Sequence, residues 1–253
     1  MTVTIARICR YPVKGLSADT LDSTSLEPGK PIPEDRRFAL AQAGTRFDPM
    51  NPVWLPKTKF LVLMRDEKLA KLETRYDAKT GALEVLRDGK RVARGIITTP
   101  IGRAVIEDFF AAFMRGEILG KPKLVSAPGH MFSDVRDQVL SIVNMASVHD
   151  LERIVGADVH PLRFRANLYL EGLAPWEEFD WLDKEIAIGD TRLIVTKRIQ
   201  RCAATDVNPK TAERDLNIPK ALMRGYGHAD LGIYARVVTG GPIATGDEVR
   251  LAG

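Results

Sequence analysis

The chain has little of what most readily announces a function. It carries two cysteines and four histidines in 253 residues. Neither set has the spacing of a metal cage: Cys9 and Cys202 lie far apart, and His130, His149, His160 and His228 contain no i, i+4 pair of the kind that holds a hydrolytic zinc ion. Apolar runs such as Phe60 to Met64 fall far short of the roughly 18 residues that cross a bilayer. The opening MTVTIARICRYPVKG lacks the basic, apolar and small-residue regions of a signal peptide, so a cytoplasmic chain with no membrane association and free thiols is expected. No block of five or six like charges occurs, and Lys+Arg 37 against Asp+Glu 33 leaves a net +4. That balance speaks against nucleic acid as a partner, yet permits a small polyanionic ligand, which needs only a few convergent cations. A Gly-Lys-Ser/Thr phosphate loop, a Gly-x-Ser-x-Gly elbow and a Gly-x-Gly-x-x-Gly fingerprint in a strand-to-helix context are missing as well. Nucleotide-binding and serine-hydrolase classes therefore lose most of their support.

What is present reads as strands cut by turns, with enough apolar content, 45%, for a sizeable core. In the first half, strands are expected at Arg36 to Gln42, Phe60 to Met64, Leu69 to Tyr76, Ala82 to Leu86 and Arg91 to Ile97, with Asp88-Gly89 as a hairpin turn. A helix follows: Thr99 caps it, Pro100 opens it, and Ile101, Val105, Phe109 and Phe113 recur every four residues as a face for the core, until Gly116 ends the pattern. The charged Gly/Pro-containing stretch from Gly116 to Pro122 is the expected domain boundary. Beyond it come a strand at Val139 to Val143 and a short helix with Ser147 and Asp150 as a capping pair and Gly156 as its stop. Strands are then expected at Arg165 to Leu170, Glu185 to Ile188, Arg192 to Ile199, Leu231 to Val238 and Glu248 to Leu251.

A few residues stand out chemically. Cys202 ends a strand in Lys197-Arg198-Ile199-Gln200-Arg201-Cys202, where nearby cations favour a thiolate able to act as nucleophile or soft-metal ligand. Strict alternation would put Arg198 and Gln200 on its face and turn Lys197 and Arg201 away, and a buried inert thiol stands as the other reading. Lys14, on the loop bounded by Pro12 and Gly15, can meet a phosphate or be a solvated charge. Arg36 and Arg37 can do the same or pair with Glu34 and Asp35. Arg163, Arg165 and Asn167 fall on one face of an extended segment, where guanidiniums can grip an anion and the amide a heterocycle edge; a polar edge strand is the alternative.

Taken together, Tyr11-Pro12-Val13-Lys14-Gly15, Asp35-Arg36-Arg37-Phe38-Ala39-Leu40, Phe164-Arg165-Ala166-Asn167-Leu168, Arg201-Cys202-Ala203-Ala204-Thr205-Asp206-Val207-Asn208-Pro209 and the closing Leu231-Gly232-Ile233-Tyr234-Ala235 with Gly240-Gly241-Pro242 resemble the MOSC family. More narrowly they are similar to the mitochondrial amidoxime-reducing component and its bacterial relatives. The resemblance implies a strand-rich α+β chain: an N-terminal MOSC β-barrel domain over 1–119, then a MOSC β-barrel domain with a few short helices over 120–253. It implies a molybdenum cofactor (molybdopterin) between the two, with Cys202 as metal ligand and catalytic residue. Lys14, Arg37, Ser147, Arg165, Asn167, Thr205 and Tyr234 fall where the family's motifs supply cofactor contacts. The implied activity is a molybdenum-dependent oxidoreductase that reduces small N-hydroxylated compounds such as amidoximes and hydroxylamines. With no further cysteines before Gly253, a separate electron-donor protein is expected. MOSC domains also end the molybdenum cofactor sulfurases, so a cofactor or sulfur carrier with Cys202 as persulfide or cofactor-holding residue is the alternative.

Overall fold

The computed structural model describes residues 2–252. Its regular elements, in chain order, begin with β1 (Thr4–Arg10), β2 (Asp19–Leu21), β3 (Ser23–Leu26), β4 (Ala39–Ala41), β5 (Glu73–Asp77), β6 (Ala82–Arg87), β7 (Lys90–Ile96), α1 (Pro100–Phe113) and β8 (Lys123–Val125). They continue with β9 (Leu140–Asn144), α2 (Met145–Val155), β10 (Leu168–Glu171), β11 (Glu185–Ile188), β12 (Thr191–Gln200), α3 (Ile218–Tyr226), β13 (Asp230–Thr239), β14 (Gly241–Ala244) and β15 (Val249–Leu251). The chain is strand-rich α+β, as its patterning predicts.

Eight strands form one curled sheet in the order β15-β11-β12-β13-β9-β10-β1-β2. It bends back on itself: Ile5 N donates to Asp247 O at 3.0 Å and Val249 N to Val3 O at 2.9 Å, so β15 returns to the start of β1. Closure removes the unpaired edges that an open sheet exposes. Inside lies a core of aliphatic side chains, among them Ile8, Ile142, Leu168, Leu193 and Ile233, each fully buried. A division at 119/120 runs across this assembly, because β1 and β2 precede it and the other six strands follow, and β4 pairs with β8 across it. The hairpins β5-β6-β7 pack with α1 around a second core centred on Phe38, Leu83, Ile106 and Phe110. Among the described residues no helix is long and apolar enough to cross a membrane.

Several local expectations change. Phe60 to Met64 is not a strand: after a single bridge from Phe60 to Ala41, the chain turns over the buried Asp66, whose carboxylate accepts from Val62 N at 2.9 Å. Leu69 to Tyr76 divides into a 3-10 turn at Glu67–Lys71 and β5. The extended segment expected at Arg165 breaks too, since Pro161–Phe164 is a 3-10 turn and Arg165 takes the left-handed conformation at φ 51, leaving the strand to begin at Leu168. Helix α1 starts where expected, with the Thr99 hydroxyl accepting from Gly102 N at 3.1 Å, but it buries a different face. Ile101 is 81% exposed and Val105 42%, whereas Ile106, Phe110 and Met114 are fully buried. The reason is Gly102: a Cβ there would lie 2.0 Å from Ile96 O, so the backbone of the helix touches β7 along the Gly102–Ile106–Phe110 line; of the expected stripe, Ile101 and Val105 turn outward while Phe109 and Phe113 stay half-buried against the core. Ile106→Ala is expected to cost about 2–5 kcal/mol of unfolding free energy and Ile101→Ala no more than about 0.5 kcal/mol, as measured by urea denaturation.

Candidate functional site

A cleft of about 450 Å³ opens where the loop after β1, the loop before β10 and the end of β12 meet, a size suited to a small molecule or cofactor. Lys14 enters it because the chain turns immediately afterwards at Gly15, in the left-handed region at φ 84, where a Cβ would lie 2.7 Å from Leu61 O. The Lys14 ammonium is buried; it donates to Phe132 O at 3.0 Å and to the Asp134 carboxylate. The other oxygen of Asp134 faces Lys57 Nζ at 3.7 Å. Burial pulls Lys14 below its ordinary value against the opposing pull of Asp134. For Lys57 burial acts the same way, but the Asp134 carboxylate and the Cys202 thiol outweigh it and its pKa rises. Burial pushes Asp134 up, yet Lys14, Lys57 and Arg36 prevail and hold it at about 2.

Two arginines share one tyrosine. Arg36 and Arg165 both adopt positive φ, 50 and 51, which aims their side chains inward. Their guanidinium carbons lie 4.8 and 4.3 Å from the centroid of the buried Tyr11 ring, contacts that contribute about 0.5–2 kcal/mol each. Arg36 is neutralised by the buried Asp35, which also accepts from Tyr11 N at 2.7 Å, and it donates to Arg165 O at 2.9 Å. Arg165 has no carboxylate within 4.0 Å among the described residues. Burial pulls its pKa down, and the Arg36 charge adds to that. An unpaired guanidinium in a cleft wall is the donor that a phosphate or carboxylate would use.

Cys202, half-buried, follows β12 and opens a single 3-10 turn over Ala203–Asp206. Thr205 fixes that turn, with N and Oγ1 donating to Cys202 O at 3.0 and 2.9 Å. Arg201 is locked behind it: Nε donates to Leu231 O at 2.7 Å and one Nη to Phe164 O at 3.0 Å. Arg163 braces the turn from below through Asp206 O at 2.9 Å and Asp215 at 2.6 Å, and its buried Nε finds no partner among the described residues. From outside, Arg214 ties Ala203 O at 2.8 Å to Met64 O at 2.9 Å and Glu67 at 3.0 Å, joining the cysteine turn to the opposite lip. The alternation expected of β12 does not hold. Register shifts against β13 fall at Val195/Lys197 and Arg198/Gln200, and each re-aims the chain, so that Lys197, Arg198, Gln200 and Arg201 all line the cleft.

Of the residues singled out from sequence, Lys14, Arg165, Asn167, Cys202, Thr205 and Tyr234 line this cleft, while Arg37 and Ser147 lie outside it. The left-handed turn at Arg36 sends Arg37 outward to Glu34, a bidentate pair at 2.7 and 2.8 Å. Ser147 is buried in α2, where it donates to Glu178 at 2.9 Å and accepts from Trp176 N at 2.8 Å; the helix cap is Asn144. The Asn167 amide is also bonded within the fold. Its oxygen accepts from Ser141 N and Oγ at 3.0 and 2.9 Å, and its nitrogen donates to Cys9 O at 3.1 Å, stitching β1 to β9. Cys9 is buried, which pushes its thiol up to about 11. Sequence reasoning missed Lys57 and Asp134, which sit in irregular loops without a motif, and passed over Arg36 in favour of its neighbour.

Among the described residues, Asp134 is the only carboxylate in the cleft lining. Because its folded pKa lies below the ordinary 3.8, it contributes stability that is fully present above that value and is lost as pH falls through about 2. Asp134→Asn is therefore expected to flatten the decline of Tm between about pH 4 and pH 2, and to leave Lys14 more easily deprotonated; calorimetry across that range checks it.

The MOSC domain model matches residues 120–250. The chain is 33% identical over 106 residues to the molybdenum cofactor sulfurase of Caenorhabditis briggsae, covering 40% of this chain and 15% of that protein. It is 28% identical over 124 residues to mitochondrial amidoxime-reducing component 1 of Mus musculus, covering 44% of this chain and 36% of the relative. The alignments thus span well under half the length of these curated relatives. Among solved structures, the YUAD protein from Bacillus subtilis aligns over 98% of this chain and 94% of its own, at 14% identity and a TM-score of 0.46. Spanning just over half of the chain and including the cysteine turn, β9 to β13 and the Tyr234 strand, the family match makes this a member of the MOSC domain family.

Proposed function

We propose that the protein is a molybdenum-cofactor-dependent oxidoreductase that reduces small N-hydroxylated compounds. The observation that carries this reading is the donor set of the cleft. Among the described residues no three His, Cys, Asp or Glu side chains converge, so the chain cannot cage a bare ion. A group that brings its own sulfur donors needs only one protein thiolate, which Cys202 supplies, and its anionic end needs unpaired cations. The Arg165 guanidinium, without a carboxylate, fits that requirement, and Arg163, whose charge is paired with Asp215, adds one unused donor at Nε.

When bound, the cofactor supplies a two-electron redox centre. The reaction breaks one N–O bond and consumes two electrons and two protons, releasing the oxygen as water. Lys14, Arg36 and Arg165 would hold the phosphate, while Thr205 fixes the backbone from which Cys202 projects. Burial pushes the pKa of Tyr234 up, so its phenol keeps a proton at Oη that is available to a developing negative charge. The Val62–Met64 lip and Met131 close the apolar side and exclude water. Cys9, buried in the core, and Cys202 are both free thiols, and in this reading a donor protein delivers the electrons.

The sulfurase likeness supports a second reading, a cofactor or sulfur carrier with Cys202 as the attachment point. Protein purified from a molybdenum-replete host is expected to contain stoichiometric metal and pterin and to reduce benzamidoxime with an artificial electron donor. Cys202→Ser is expected to lose metal and turnover while unfolding at nearly the same temperature. Cofactor without turnover assigns the carrier role, and neither cofactor nor turnover overturns both.

A further inference from the structure

The positive charges of the cleft fall into two groups. In the inner group Lys14 and Lys57 share Asp134 and Arg36 has Asp35, which leaves Arg165 without a carboxylate. At the end of β12, Arg198 and Arg201 have no carboxylate within 4.0 Å among the described residues, and Lys197 has only the exposed Asp137, at 3.8 Å. Arg201 is spent on backbone carbonyls, but Lys197 and Arg198 are not. They rest on aromatic faces, Lys197 at 5.8 Å from the Tyr234 ring and Arg198 at 4.2 Å from Phe179, and both line the cleft. A cation supported in this way keeps most of its N–H donors free for an anion.

The groups also differ in depth. Lys14 is buried and Arg36 and Arg165 are half-buried, whereas Lys197 and Arg198 are exposed at the rim of the same cleft. We infer that Lys197 and Arg198 determine substrate specificity, selecting molecules that carry a carboxylate, sulfonate or phosphate alongside the group to be reduced. This rests on the reductase reading, with the β1 end serving the cofactor and the β12 end the substrate.

The cofactor-free chain provides a test that needs no turnover. Cys202 is alkylated by iodoacetate or iodoacetamide, its sulfur displacing iodide from the CH₂ carbon, with mass spectrometry locating the product and buried Cys9 as internal control. Relative to N-acetylcysteine, the iodoacetate-to-iodoacetamide rate ratio is expected to rise about tenfold at low salt and to collapse in about 0.5 M NaCl. Lys197→Gln/Arg198→Gln and the charge-reversed Lys197→Glu/Arg198→Glu pair should each remove most of that gain. A ratio equal to that of the small thiol overturns the inference. So does a raised ratio that survives both double variants and falls in Arg165→Ala, since the field then belongs to the cofactor end. In loaded enzyme, para-carboxybenzamidoxime should exceed benzamidoxime in kcat/KM by a similar factor, through KM, and equal values count against it. Absence of turnover with either compound removes the reductase reading while leaving the alkylation result to stand or fall separately.

Discussion

The guanidiniums of Arg36 and Arg165 lie over the same buried tyrosine ring, joined by a hydrogen bond from Arg36 to Arg165 O, and each raises the cost of the other's charge. Buried Asp35 offsets one charge and the π face of Tyr11 part of both; nearby, Lys14 is held by Phe132 O and Asp134, and Arg201 by backbone carbonyls. Such crowding is unfavourable in an empty protein and becomes favourable when a polyanion enters, because an anion removes the repulsion and gains short, charge-assisted hydrogen bonds. The chemistry of the cleft follows from this imbalance.

Holding the charges in place falls to polar residues bonded within the fold. Asn167 bonds Ser141 and Cys9, pinning β1 against β9 so that the Lys14 loop and the Arg165 turn come together. Arg214 ties the cysteine turn to the Met64 lip, and Thr205 holds that turn at its first carbonyl. A buried amide left with unpaired partners costs about 1–3 kcal/mol per group, so these residues define the site through geometry.

The division of labour is economical. A single half-buried thiol, a protonated phenol and a ring of cations are too few to perform redox chemistry unaided, and they suffice if a cofactor carries the electrons. The buried cations and the exposed Lys197 and Arg198 line one cleft at two depths.

Local pattern in the sequence was enough for the strand-rich class and for the positions of β6, β7, β11, β12, β13 and α1, because strand alternation, hairpin turns and helix caps are short-range effects; the six residues that reach the cleft were marked by the resemblance to the MOSC family. Other features were not legible locally. Which of Arg36 and Arg37 turns inward is set by one left-handed residue, and which face of α1 is buried is set by the contact of Gly102 with β7. The loops bearing Lys57 and Asp134 have no periodicity to read. Asn167 and Ser147, marked by motif, both make long-range hydrogen bonds within the fold; Asn167 also borders the cleft, whereas Ser147 lies outside it. Sequence alone determined the repertoire of side chains and the elements that carry them. The bulges in β12, the closure of the sheet and the meeting of loops more than a hundred residues apart decided which of them share a field, because convergence of charge depends on distance in space and leaves no trace in spacing along the chain.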